Sequence, residues 1–287
     1  MSAAKQLAHA QEFRQALRFT PGDQFAGLDA QGTPAWTKGR KGAEARLEQV
    51  GQNLSDLQER LFADGVSGGS KSVLLILQGM DTSGKGGIVR HVVGLVDPQG
   101  VSHRGFGKPT PEELSHHYLW RVRNSLPCPG YIGVFDRSHY EDVLTVRVNG
   151  IVPKDVWEQR YDEINEFERE IAASGTTIIK VLLNVSYDEQ TARLTQRLER
   201  PDKFWKYDPS DVDERLQWDD FQAAYQDILD RTNTDIAPWH VVPADNKWYA
   251  RLAISHLLLE ALDGFGLGWP DPSYDLETER ARLAASA

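Results

Sequence analysis

The stretch that decides the fold is Val73-Leu74-Leu75-Ile76-Leu77-Gln78, followed by Gly79-Met80-Asp81-Thr82-Ser83-Gly84-Lys85-Gly86-Gly87. Five consecutive aliphatic residues ahead of a turn read as a strand buried on both faces. The next nine residues fit G-x-x-x-x-G-K. In that loop glycines let backbone N–H groups turn inward onto a phosphate, and the following helix adds its positive end. Lys85 supplies a point charge for a terminal phosphate. A merely flexible turn is the plainer reading, but it leaves the lysine without a reason. Gly79, Ser83, Gly84, Gly86 and Gly87 therefore join Lys85 as candidate phosphate-binding residues. The usual loop continues with Ser or Thr, whose hydroxyl ligates Mg²⁺. Gly86 stands there instead, so other oxygens must hold the metal. Asp81 would repel phosphate unless a cation intervenes. It reads as a Mg²⁺ ligand or an orienting group for the accepting phosphate, with a helix N-cap as the structural alternative.

A second apolar run, Tyr131–Phe135, ends in Asp136-Arg137-Ser138-His139-Tyr140. A strand ending in Asp is how a second Mg²⁺-holding carboxylate reaches a phosphate loop. Arg137 can bridge phosphate oxygens bidentately, or simply balance Asp136. Further on, Arg193, Arg197 and Arg200 share one helical face. Pro201-Asp202-Lys203-Phe204-Trp205-Lys206-Tyr207-Asp208-Pro209 follows, aromatics interleaved with lysines between two prolines. The spacing predicts a mobile cover that brings cations over a phosphate and aromatic faces near a base. Arg104, Lys108, Arg121 and Arg123 add positive charge between the two acidic positions. Arg121 and Arg123 are two apart, so on a helix they do not share a face. The eight histidines show no metal-ligand spacing and read as structural groups or hydrogen-bond donors.

Around these motifs strands and helices alternate. Strands are expected at Val73–Leu77, Tyr131–Phe135, Thr176–Val185 and Trp239–Val242, with a weaker one near Val101–Arg104. Helices are expected at Pro111–Arg123, Lys154–Ala173, Asp188–Leu198, Val212–Thr232 and Trp248–Leu262. This alternation implies an α/β fold, a mostly parallel sheet covered on both faces, with ligands at the carboxyl ends of its strands. Leu47, Val50, Leu54, Leu57 and Leu61 mark an amphipathic helix, packed on the core or forming a dimer seam. Residues 1–40 read as irregular, and Gly65–Ser70 as a linker. The expected organisation is an N-terminal extension over 1–70, a core over 71–265 with a lid at about 190–220, and a tail over 266–287.

The chain has 287 residues, with 32 basic and 42 acidic side chains for a net charge of −10. Its 40% hydrophobic and 26% charged content suits a globular protein rather than a disordered one. Val73–Leu77 is the longest aliphatic run, far short of the roughly 20 residues that span a bilayer. Met1–Arg18 shows no signal-peptide pattern. The single cysteine, Cys128, excludes an intrachain disulfide and favours a cytoplasmic setting. Net acidity argues against broad nucleic-acid binding, yet a local basic cleft can still take a polyanion.

Taken in order, Gly79–Gly87, Lys108-Pro109-Thr110, Asp136–Tyr140, Arg193 with Arg197, Lys203 with Trp205-Lys206, Trp218-Asp219-Asp220, Ala237-Pro238-Trp239 and Asp245 resemble the type-2 polyphosphate kinases over about residues 41–262. The resemblance implies a thymidylate-kinase-like three-layer α/β/α sandwich with a helical lid. It implies Mg²⁺-dependent transfer of a phosphoryl group from inorganic polyphosphate to an adenine nucleotide, with guanine left open. Carried over by position, Asp81, Lys85, Asp136 and Arg137 form the catalytic cluster and Arg197 is a lid arginine. Lys108, Arg121, Arg123, Arg193, Lys203 and Lys206 are phosphate contacts. Tyr140-Glu141-Asp142-Val143-Leu144 resembles the branch that phosphorylates AMP as well as ADP, with Glu141 the distinguishing position. A homo-oligomer is expected. Two other readings stay open on the residues: an ATP-dependent nucleoside monophosphate kinase, and a nucleotide switch or polyphosphate-binding protein without turnover.

Overall fold

The computed structural model describes residues 3–286; Met1, Ser2 and Ala287, the outermost residues of the expected extension and tail, lie outside the described residues. Five strands form one sheet: β1 (Ser72–Gln78), β2 (Val101–Gly105), β3 (Ile132–Asp136), β4 (Thr176–Asn184) and β5 (Trp239–Pro243). Their spatial order is β2-β3-β1-β4-β5, and every pairing is parallel. The α/β expectation holds, and the weak strand near Val101 is present as an edge.

β1 lies between β3 and β4, so the chain winds to opposite sides of it and leaves a crevice at the strands' carboxyl ends. Parallel strands covered by helices on both faces must be apolar throughout, and all seven residues of β1 are buried. The pairing Leu77↔Asp136 places the end of β3 beside the end of β1, directly ahead of the glycine loop.

Twelve α-helices surround the sheet among the described residues: α1 (Ala3–Leu17), α2 (Gly39–Val66), α3 (Lys85–His91), α4 (Pro111–Leu114), α5 (Trp120–Arg123), α6 (Thr145–Val148), α7 (Lys154–Ala173), α8 (Tyr187–Glu199), α9 (Ser210–Leu216), α10 (Trp218–Thr232), α11 (Lys247–Asp263) and α12 (Leu276–Ala285). α11 packs against α2, α1 and α3, while α7 packs against β4 and α10. Most of the apolar stripe of α2 packs on the core, as one of the two expectations had it: Val50, Leu54 and Leu61 are buried within the chain, and Leu57 packs partly buried against them.

Three expectations need correction. Residues 3–17, read as irregular, form α1, which buries Ala10, Phe13 and Leu17. The helix expected over Pro111–Arg123 is two short helices, α4 and α5. Thr110 and Glu113 close a capping box at the start of α4, and His116 stacks on Trp120 at 4.2 Å across the break. The helix expected over Val212–Thr232 breaks at Gln217 (φ −99°, ψ 25°) into α9 and α10.

No helix among the described residues is long and apolar enough to cross a membrane.

Candidate active site

A cleft of ≈ 1210 Å³ opens at the carboxyl ends of β1 and β3. The glycine loop forms its floor. Gly79 has φ 144°, and a Cβ there would lie 2.7 Å from the Leu183 carbonyl oxygen, so only glycine fits. At Gly86 and Gly87 an added Cβ would meet nothing within 4 Å. Close packing does not demand those two glycines; they leave the loop surface open. Thr82 takes φ 63°, a costly value for a β-branched residue. The hydroxyls of Thr82 and Ser83 are buried and have no hydrogen-bond partner among the described residues. Lys85 folds back over the loop, its Nζ donating to the carbonyls of Gly79 (2.6 Å) and Met80 (3.3 Å).

Arg137 links the second acidic position to this loop. It adopts φ 63° directly after Asp136, and its Nη2 donates to Asp81 Oδ1 at 2.6 Å. Asp81, Lys85, Asp136 and Arg137 thus line one cleft. Burial alone would raise the Asp81 carboxyl, but Lys85 and Arg137 outweigh it and hold the group at about 2. The turn after Asp136 is braced from behind by a buried network. Lys180 in β4 donates to Glu168 (2.7 Å), to the Tyr140 hydroxyl (2.9 Å) and to the Thr232 carbonyl (2.7 Å). Tyr140 also donates to Glu168 at 2.7 Å, and His139 Nε2 lies 3.3 Å from it. Glu141 lines the cleft with both oxygens engaged, one by Gln78 (3.1 Å) and one by Thr145 (2.6 Å).

The cations sort into groups that the sequence did not separate. Lys108, Lys203, Lys206 and Arg197 line the cleft. Arg197 donates to Asp211 and to the Lys206 carbonyl, each at 2.8 Å, which ties α8 to α9 and to the segment before it. Arg193 also lines the cleft, yet it acts as a brace: its guanidinium donates to the carbonyls of Thr82, Ser83, Ala244 and Asp245 at 2.6–3.0 Å. Arg121 is buried, donates to the Gly107 carbonyl and lies 3.7–3.8 Å from Glu113 and Asp142. Arg123 is not in the cleft. It forms a bidentate pair with Glu170 at 2.8 Å, over the Phe167 ring, because its position on α5 points it away from Arg121. Arg104 is likewise taken up by Glu113. The expected aromatic cover also differs: Phe204 and Trp205 are outside the cleft lining, and Trp205 stacks with Lys206 instead.

Among the lining residues that sequence reasoning missed, six are ionisable. Asp211 and Glu214 of α9 face Asp81; burial and the Asp81 charge push Asp211 up to about 6 and Glu214 up to about 8. Arg90 and His91 of α3, with Lys247 and Arg251 of α11, extend the cleft away from the acidic end. Arg90, Lys247 and Arg251 make no ion pair among the described residues. Their i, i+4 spacing at the start of the helix after β5 was a legible signal for Lys247 and Arg251.

The donor set at the acidic end is hard oxygen. No group of three or more His, Cys, Asp or Glu is arranged to cage a metal among the described residues. Two carboxylates beside a phosphate loop, with two orphaned hydroxyls, fit a small cation that keeps its waters and takes most other ligands from phosphate.

A family model for polyphosphate kinase 2 matches residues 38–265. The chain belongs to the polyphosphate kinase 2 family. Within it, an AMP/ADP-polyphosphate phosphotransferase of Meiothermus ruber is 44% identical over 245 residues, 85% of this chain and 90% of that protein. An ADP-polyphosphate phosphotransferase of Rhodopseudomonas palustris is 40% identical over 232 residues, 77% of this chain and 79% of that one. The crystal structure of polyphosphate kinase 2 from Arthrobacter aurescens TC1 superposes with a TM-score of 0.93 at 50% identity, covering 97% of this chain and 98% of that one. The α/β/α sandwich is thus that of the polyphosphate kinase 2 family.

Proposed function

We propose that this protein moves the terminal phosphoryl group of inorganic polyphosphate onto a nucleoside mono- or diphosphate, making ATP from ADP and ADP from AMP. The observation that carries this reading is the run of unpaired cations, Arg90, Lys247 and Arg251, continuing the glycine-loop cleft in a protein of net charge −10. His91 and Arg251 are each lowered, first by burial and then by neighbouring arginines, an effect that Glu44 only partly offsets at Arg251, as expected where positive groups are crowded together. Such crowding costs stability unless a polyanion relieves it. A long donor chain fits; the named activities of the Meiothermus and Rhodopseudomonas relatives agree.

On this reading the donor's end lies on the glycine loop and its length runs along α3 and α11. The acceptor enters from the side of Asp136 and Glu141. The terminal P–O–P bridge breaks as an acceptor phosphate oxygen forms the new P–O bond, and the shortened chain leaves with the charge. The acceptor is already ionised, so no strong general base is required. Alignment and fixed cations supply the catalysis. Lys85 and Arg137 meet the migrating group, and Arg197 joins them on release from Asp211. Asp81 and Asp136 would hold a divalent cation, which we read as Mg²⁺ and which would neutralise phosphate oxygens.

The test is an acceptor panel of AMP, ADP, GMP and GDP with polyphosphate as sole donor. ATP formed from ADP is expected, and strict dependence on ATP as donor would overturn the proposal. Arg251→Ala combined with Arg90→Ala should raise the KM for long polyphosphate severalfold while leaving that for tripolyphosphate nearly unchanged. Equal effects on both donors would remove these residues from the donor path.

A further inference from the structure

Of the exposed large apolar side chains among the described residues, Ile151 alone lines the cleft, and it is 62% exposed. Its position is built rather than loose. α6 closes in a Schellman motif: Gly150 N–H donates to the Arg147 carbonyl at 3.1 Å, and Ile151 N–H to the Val146 carbonyl at 2.9 Å. Gly150 supplies the left-handed residue this closure needs, with φ 60°. Val146 lines the cleft as well, so the motif sets two aliphatic side chains side by side at its lip. From behind, Arg147 anchors α6 through Asp227 and the Trp157 ring.

Asn149 sits between them in the chain, exposed in the cleft with no hydrogen bond to its side-chain amide among the described residues. Thr145 at the start of α6 donates to Glu141 at 2.6 Å, and Asn149 follows one turn further along α6, so the lip continues from the acidic end of the cleft. Among the other exposed lining residues, Arg90, Lys108, Lys206, Asp208 and Lys247 carry charge. A nucleobase needs the opposite: an apolar plate for its face and a neutral group for its edge.

We propose that Val146 and Ile151 form the plate on which the acceptor's purine base rests, and that Asn149 reads the base edge. This rests on the reading of the cleft as a polyphosphate:nucleotide phosphotransferase site. An amide carries one donor and one acceptor, and so does the edge each purine offers: N6–H and N1 in adenine, N1–H and O6 in guanine. The wild-type site therefore takes both purines and favours them over pyrimidines, whose smaller ring covers less of the plate. A carboxylate only accepts. At position 149 it matches the paired N1–H and N2–H donors of guanine and faces the lone pair of adenine N1.

Three measurements test this on the purified full chain. Asn149→Asp should raise the ratio of kcat/KM for GDP over ADP about tenfold, with polyphosphate as donor. Ile151→Ser should raise the KM for ADP about tenfold and leave the KM for polyphosphate unchanged. Both sites are exposed, so the variants should fold. Titration calorimetry of ADP and GDP without donor reads the same contacts in the absence of turnover. A protein that binds both nucleotides with the expected Asn149→Asp switch but never uses polyphosphate would overturn the donor assignment alone. An unchanged GDP:ADP ratio in Asn149→Asp, by kinetics and by binding, would overturn the base site alone.

Discussion

Two buried cations at the glycine loop do different work, and their replacement separates the roles. Lys85 donates to loop carbonyls but lines the cleft, where its charge is free to move onto a phosphate. Lys85→Ala should lower turnover by at least about a hundredfold with little change in unfolding midpoint. Arg193 commits its guanidinium to four carbonyls from two elements, plus Glu189 at 2.8 Å. Arg193→Met leaves those acceptors buried and unpaired and should cost about 3 kcal/mol or more in denaturant unfolding. If Arg193→Met instead kept wild-type stability and lost only activity, it would be a phosphate contact and not a brace. The sequence offers both residues as cations for phosphate because motif spacing reports which face a cation occupies. It does not report how many carbonyls the tertiary fold brings to it. The same blindness accounts for Arg123, whose partner Glu170 lies 47 positions away.

Among the elements, the sheet was the most legible part: the buried strands are largely apolar runs, and only β2, an exposed edge reading Val-Ser-His-Arg-Gly, gave a weak signal. Helices with thin stripes were not. Among the described side chains of α1, the buried apolar ones are Ala10, Phe13 and Leu17, too sparse a pattern to stand out among alanines and glutamines. The breaks at Ser115–Leu119 and Gln217 depend on capping and on the packing of short segments, which periodicity does not register. α2 was found by its stripe, but its limits extend beyond it because its end docks on a turn. A Cβ at Gly65 would lie 2.5 Å from Gly130 Cα and 2.7 Å from the Pro129 carbonyl oxygen, both backbone. Gly65→Ala should therefore cost about 1–3 kcal/mol, despite alanine's better helix propensity. At Gly51 the nearest atom is Leu95 Cδ2 at 3.2 Å, the end of a flexible side chain. Gly51→Ala should be close to neutral. Thermal unfolding of the pair checks the contrast, and equal melting temperatures would show that α2 does not need its close approach to the 129–130 turn.

For the molecule as a whole, the acidic surface and the basic cleft divide one charge problem, and the histidines add a pH term that the active site does not share. His240 and His256 are buried where α1 meets the core; His256 stacks on Phe13 at 4.4 Å, and His240 is the strand residue bridged to Arg18. Burial, then nearby positive groups, lower each to about 4. The groups facing them are Arg14, Arg18 and Lys180 for His240, and His9 and Arg46 for His256. A folded-state value below the unfolded 6.5 means the neutral ring is favoured in the fold. That stability is complete above about pH 6.5 and is lost as pH falls towards 4, up to about 3 kcal/mol for each ring. The raised carboxyls of Asp142, Asp211 and Glu214 run the other way, gaining stability as they protonate, so the wild-type profile alone mixes the two. Comparison with His256→Leu removes the mixture, because the carboxyl contribution cancels between the two proteins. Denaturant midpoints should show wild type losing ground to the variant by up to about 3 kcal/mol between pH 7 and pH 4. A gap that stays constant across that range would mean that the ring is not kept neutral by burial, and that α1 is not held to the core in the way its packing indicates.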